Sequence, residues 1–157
     1  MQILLAADHA GFALKEKLIP ALVKRGYEVC DFTPDFQAGD DYPLVANQLA
    51  RSLESEVRSP KSGGRGTRYV VRGTKGILVC GSGVGVCIAA NRHKGVRAMA
   101  GHDVTEVKLA REHNDVNVLC LSGWKTKPAD ALKLIEVFLK TKTSPAARHE
   151  RRVKQLG

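Results

Sequence analysis

GILVCGSGVGVCIAANR, residues 76–92, is the stretch on which the fold turns. Gly76 to Cys80 is a nearly continuous apolar run, which is how a strand covered on both faces of its sheet reads. Gly81-Ser82-Gly83-Val84-Gly85 then breaks the run and leads into a helix of small residues from Val86 to Arg92. Strand, glycine turn and helix in that order make one unit of a parallel α/β sheet.

The same unit recurs on both sides. Towards the N-terminus, QILLAA (2–7) is a short apolar strand that ends at Asp8-His9-Ala10-Gly11. Phe12, Leu14, Leu18, Ile19, Leu22 and Val23 follow at helical spacing, closed by Gly26. YEVCDF (27–32) is a second strand, Pro34 to Asp41 an acidic loop, and Pro43 opens a helix with Leu44, Val45, Leu49 and Leu53 on its apolar face. Towards the C-terminus, Val96–Ala100 and Val116–Leu121 read as strands separated by a helix from Val104 to His113. A last helix spans about Pro128 to Leu139, before a basic tail. No internal repeat is visible. Five βα units predict a three-layer αβα sandwich around an open, Rossmann-like, five-stranded parallel sheet.

The chain has 157 residues, enough for one domain with a substantial core and too few for two. Its 43% apolar and 26% charged residues are globular composition, and no run approaches the length of a membrane helix. The N-terminus lacks a basic leader and meets Asp8 early, so a cytoplasmic protein with reduced cysteines (Cys30, Cys80, Cys87, Cys120) is expected. The net charge of +9 is unevenly spread: residues 1–50 carry −3, 51–75 carry +5, 76–139 carry +2 and 140–157 carry +5. The single domain is thus expected to carry a basic Gly/Ser-rich insertion at about 55–75, where Tyr69-Val70-Val71 could add a short strand, and a basic tail at about 140–157. These segments read either as solvated loop and tail or as attractors of anions. Aromatics at 5% speak against a base-stacking nucleic-acid surface, and nucleic acid is not an expected partner.

In such a sheet, ligands bind outside the carboxyl ends of the strands, near the switch in strand order. Asp8-His9, Cys80 with its glycine loop, and the start of the tail are expected there. His113-Asn114-Asp115 falls between a helix and the next strand, away from the strand tips of its own subunit. The loop Gly81–Gly85 lacks the Lys-Ser/Thr of a P-loop and misses the dinucleotide spacing. What remains is a glycine turn at a helix N-terminus, suited to an anion or simply to close packing. Cys80 is either packing or, beside that helix N-terminus, a usable base. Cys30, Cys87 and Cys120 lack such a setting and read as packing, and His93 and His102 read as surface residues. No CxxC pair, HExxH or histidine pair at ligand spacing occurs, so no metal and no cofactor is expected.

AADHAGFALK (6–15), DDYP (40–43), residues 76–92, GVRA (95–98), AREHNDVNVL (110–119) and RHERRV (148–153) together resemble the ribose-5-phosphate isomerase B family, which also contains the galactose-6-phosphate isomerase subunits. Only the 55–75 segment lies outside the pattern. The resemblance implies a metal-free aldose–ketose isomerase that opens a cyclic sugar phosphate and then moves a proton between C2 and C1 through an enediolate. Carried over residue by residue, Cys80 is the base and His113 opens the ring with Asp8 or Ser82 assisting. Gly81, Gly83 and Gly85 offer backbone donors, Asn114 holds hydroxyls or the enediolate, and Tyr42 lines the pocket. Asn91 falls among the substrate-binding residues, and His9, Arg148 and Arg152 meet the phosphate. Members that lack the cysteine use a glutamate just after the loop; Val86 stands there, so this chain is of the cysteine type.

The family's members are dimers in which the histidine–asparagine pair enters the neighbour's site, so a homodimer with shared sites, or a tetramer, is expected. Similar enzymes often carry an arginine eleven residues after the histidine, where this chain has Trp124 followed by Lys125. Ribose 5-phosphate is the leading substrate. A six-carbon phosphate such as allose or galactose 6-phosphate is the alternative, and a non-catalytic sugar-phosphate or nucleic-acid binding protein is a further one.

Overall fold

The computed structural model describes residues 1–58 and 73–156. The chain runs β1 (Gln2–Ala7), α1 (Phe12–Lys24), β2 (Glu28–Asp31), α2 (Tyr42–Arg58), β3 (Lys75–Cys80) and α3 (Val84–Ala90). It continues with β4 (Ala98–Ala100), α4 (Val104–Asn114), β5 (Val118–Ser122), α5 (Pro128–Lys140) and α6 (Ala147–Gln155). The sheet is parallel throughout, in the order β2-β1-β3-β5-β4. The expected α/β sandwich is therefore what the chain forms. The expected strand at Tyr69–Val71 lies outside the described residues.

The unbroken apolar runs of β1, β3 and β5 have a direct cause. Alternate side chains of a strand point to opposite faces, so a strand covered twice needs two apolar sets. Ile3, Leu5, Ile77, Val79, Leu119 and Leu121 fill one core with Leu14 and Leu18 of α1, Val107 of α4 and Phe138 of α5. Leu4, Ala6, Leu78, Cys80, Val118 and Cys120 fill the other with Val45 and Leu49 of α2 and Val86 of α3. Gly76 in β3 is a packing glycine: a Cβ there would lie 2.8 Å from Leu49 and 3.0 Å from Val118.

Several sequence boundaries shift by one or two residues, two of them with a visible cause. Helix α3 starts at Val84, because Gly83 takes a left-handed conformation (φ 82°) and turns the chain directly into it. Strand β4 starts at Ala98, because the Arg97 N–H donates to the Asn117 side chain at 2.7 Å.

The order reverses between β1 and β3, and that switch sets the site. Ala7 pairs with Val79 and Cys80 with Ser122, so Asp8, Cys80 and Ser122 stand in a row across three adjacent strand tips. The tail does not join them, contrary to expectation. Thirteen residues of α5 carry the chain back about 20 Å towards the amino ends of the strands. There the Ser144 N–H donates to the Glu112 carbonyl at 2.8 Å, and α6 lies on the end of α4.

Candidate active site

At the strand tips, Cys80 is buried and accepts the Gly83 N–H on its sulfur at 3.1 Å. The Ser82 hydroxyl accepts the Val84 N–H at 3.2 Å, so the glycine turn folds its amides onto the two side chains that precede it. The N-cap residue Gly83 has no side chain to cap α3, so beyond Val84 the first-turn N–H groups keep no side-chain cap from it. The close-packing reading of the glycines holds. A Cβ on Gly85 would meet the Tyr42 ring at 2.7 Å, and one on Gly81 the Trp124 ring at 2.5 Å. The bare glycines thus let two aromatic rings close against the loop.

Asp8 is buried beside Cys80, and its carboxylate accepts the Gly11 N–H at 2.9 Å. Burial pushes its pKa up, with that hydrogen bond and His9 opposing. His9 is exposed and bonded twice to Asp40: its N–H donates at 2.7 Å and its Nδ1 lies 2.9 Å from the same oxygen. The Asp40 carboxylate raises the His9 pKa and favours the imidazolium. Asp40 escaped assignment from sequence although it sits in the DDYP segment; its signal is the acid one residue before the pocket tyrosine's own neighbour. Lys15 holds this region from below. Its buried ammonium donates at 2.6 Å to Asp31 and at 2.6 Å to the Thr33 carbonyl, while Thr33 Oγ1 accepts the Ala7 N–H at 3.0 Å.

His113, Asn114, Arg148 and Arg152 form a second group at the other end of the sheet. His113 stacks on His149 with centroids 4.2 Å apart and planes 7° apart. The His149 Nε2 accepts the Arg148 Nε–H at 3.2 Å. Burial lowers the His149 pKa, and the charges of His113, Arg148 and Arg152 push the same way. Arg148 and Arg152 lie one turn apart on α6. A cleft between α4 and α6, lined by Glu112, His113, His149 and Val153, opens beside the stack. His149 is a residue that sequence left without a role; its position between the two arginines was the available hint.

The turn after α4 is held firmly. Asp115 takes a left-handed conformation (φ 48°), and its carboxylate receives Arg97 and Arg111, each at 2.7 Å. Arg97 Nε also donates to the carbonyls of Asn114 and Asp115, at 3.2 and 2.9 Å.

Three residues fall elsewhere than expected. Asn91 closes the far end of α3, bonding the Cys87 carbonyl and both backbone groups of Ala98, so it does not reach the glycine loop. His93 is not a surface residue: its two nitrogens meet Glu54 at 3.1 Å and Asn47 at 2.9 Å, tying the α3–β4 turn to α2. Cys87 is not inert packing, since a hydrogen bond with Cys120 lowers its pKa to about 7.

A protein-family model described as Ribose/Galactose Isomerase matches residues 3–156. The chain belongs to the ribose/galactose isomerase family. Within it, the probable ribose-5-phosphate isomerase B of Mycoplasma pneumoniae is 37% identical over 152 residues, 96% of this chain and 90% of that one. Ribose-5-phosphate isomerase B of Escherichia coli is 34% identical over 155 residues, covering 99% and 93% of the two chains. Among solved structures of the family, that of the Mycoplasma genitalium ribose-5-phosphate isomerase B with bound ribulose-5-phosphate aligns with a TM-score of 0.82 and 35% identity, over 99% of this chain and 93% of that one. Among the described residues of this family member, no helix is long and apolar enough to cross a membrane.

Proposed function

We propose that this chain is an aldose–ketose isomerase that interconverts ribose 5-phosphate and ribulose 5-phosphate. The observation that carries the reading is Cys80, buried beside Asp8 with a backbone N–H on its sulfur, in a chain of a sugar isomerase family. In the proposed reaction, His113 protonates the ring oxygen while Asp8, assisted by Ser82, takes the proton of the C1 hydroxyl, which opens the ring. Burial raises the Asp8 pKa, which makes its carboxylate a better proton acceptor. Cys80 then removes the C2 proton of the open aldose, and charge passes to the carbonyl oxygen as an enediolate. Backbone donors of the Gly81–Gly85 turn hold that oxyanion. The proton returns to C1 as the O2 proton moves to O1, which gives the ketose.

The phosphate is met by His9, whose imidazolium Asp40 favours, and by Arg148 and Arg152. Tyr42 lines the pocket, and Asn114 holds the sugar hydroxyls or the enediolate. Because His113, Asn114 and the two arginines stand at the opposite end of the sheet from Cys80, each site takes them from a second copy. The functional unit is then a homodimer acting in the cytoplasm. The basic segment at about 55–75 and the tail belong to the same single domain. Side-by-side turnover of ribose 5-phosphate and a six-carbon aldose phosphate tests the reading. Isomerisation of the pentose is expected to dominate, and turnover of neither sugar would overturn the proposal.

A further inference from the structure

Trp124 is the single tryptophan of the chain and, among the described residues, the most exposed large apolar side chain, at 74%. Its backbone is nonetheless fixed. The Trp124 N–H donates to the Gly81 carbonyl at 3.2 Å, Gly123 N–H to the Cys80 carbonyl at 2.8 Å, and the Ser122 hydroxyl to the Gly81 carbonyl at 2.7 Å. The Lys125 N–H in turn donates to the Ser122 oxygen at 3.1 Å. These bonds rivet the β5–α5 turn to the tip of β3. The six-membered edge of the indole lies against Gly81, so close that a Cβ there would fall 2.5 Å from Cζ2. The rest of the ring faces solvent beside the residue that follows Cys80.

A bare indole on a rigid turn, one residue from the reacting thiol, is an unusual use of the largest side chain. Ligand pockets are lined by aromatic faces with a few placed polar groups, and tryptophan offers a broad contact area at small entropic cost. Tyr42 closes on Gly85 at the other end of the same turn. The loop is thus flanked by two rings.

We propose that Trp124 is a specificity-determining wall of the sugar-phosphate pocket, whose indole packs on the carbon chain of the substrate and limits its length. The proposal rests on the isomerase reading above, and the experiment separates the two. Wild type, Trp124→Ala and Trp124→Phe are compared in turnover of ribose 5-phosphate and allose 6-phosphate, with circular dichroism as the control for folding. Trp124→Ala is expected to raise the KM for the pentose about tenfold, the worth of one good aromatic contact. Its preference for five carbons over six should shrink by a similar factor, and Trp124→Phe should recover much of both.

Emission supplies the second readout. In Cys80→Ala protein, which binds without turning over, ribose 5-phosphate should change the fluorescence of the lone tryptophan saturably, and inorganic phosphate alone should change it less. If wild type isomerises ribose 5-phosphate while Trp124→Ala keeps both its KM and its sugar preference, the wall is refuted and the isomerase stands. If wild type isomerises neither sugar, the isomerase reading fails, and emission decides the wall: a saturable response to the sugar phosphate upholds it and no response ends it.

Discussion

The imidazoles of His113 and His149 lie parallel, 7° apart in plane and 4.2 Å apart in centroid, joining the end of α4 to α6. Burial and neighbouring cations depress the His149 pKa, so the folded chain resists a proton that the unfolded chain accepts at 6.5. Stability from this group is present above that value and is lost as pH falls through it. The protection factors of the α6 amides, taken against intrinsic exchange at each pH, should therefore fall as pH drops from about 7.5 to about 5.5, and much less so in His149→Gln. Protection of α6 that ignores pH in the wild type would show that the neutral ring does not hold the helix.

Cys80→Ala should lower turnover by roughly 10²- to 10⁴-fold, the usual worth of a positioned acid–base group. Thermal unfolding should move little, because one small side chain is lost. Near-normal turnover in this variant would remove Cys80 from the mechanism.

Alkylation must be read site by site, because Cys87 titrates at about 7 and is partly thiolate at neutral pH. Peptide mass mapping should find that bound ribose 5-phosphate protects Cys80 and leaves Cys87 reactive. Cys87 labelling should accelerate as pH rises through 7. Equal protection of both thiols would point to a general tightening of the fold instead of occupancy of the pocket.

Complementation tests the shared site. Cys80→Ala and His113→Ala homodimers should each be impaired, while a mixed dimer has one doubly defective site and one intact site. After random exchange of equal amounts, about a quarter of all sites should be intact, by the counting for a two-fold interface. Exchange demonstrated by native mass spectrometry, without recovery of activity, would refute the model.

Lys15→Ala should cost about 3–5 kcal/mol, the range for breaking a buried ion pair, since it takes the ammonium away from both Asp31 and the Thr33 carbonyl. Denaturant unfolding measures it. A loss below about 1 kcal/mol would mean that water replaces the ammonium.

The fold was legible because β1, β3 and β5 are apolar on both faces and glycines mark their ends. The positions of Asp8, Cys80 and Ser82 were legible for the same reason, since a place at a strand tip follows directly from the element order. Residues that act through a partner chosen by tertiary structure were not. His93 reads as an isolated histidine until α2 brings Glu54 and Asn47 to it, and Cys87 reads as packing until β5 brings Cys120. The destination of the tail was misjudged because a helix length, and not a residue type, decides which end of the sheet the chain returns to. Asn91 shows the converse: a residue in a well-matched stretch is used to close a helix.

The clamp on Asp115 has a consequence for association. A non-glycine residue in the left-handed region costs about 1 kcal/mol or more, and two guanidinium groups of the same chain hold it there. In the proposed homodimer the turn that carries His113 and Asn114 is thus ordered before docking, so association forfeits little conformational freedom at this point. On that proposal Arg97 and Arg111 hold the turn that carries the histidine, and damage to either should register as a weaker dimer as much as a slower one.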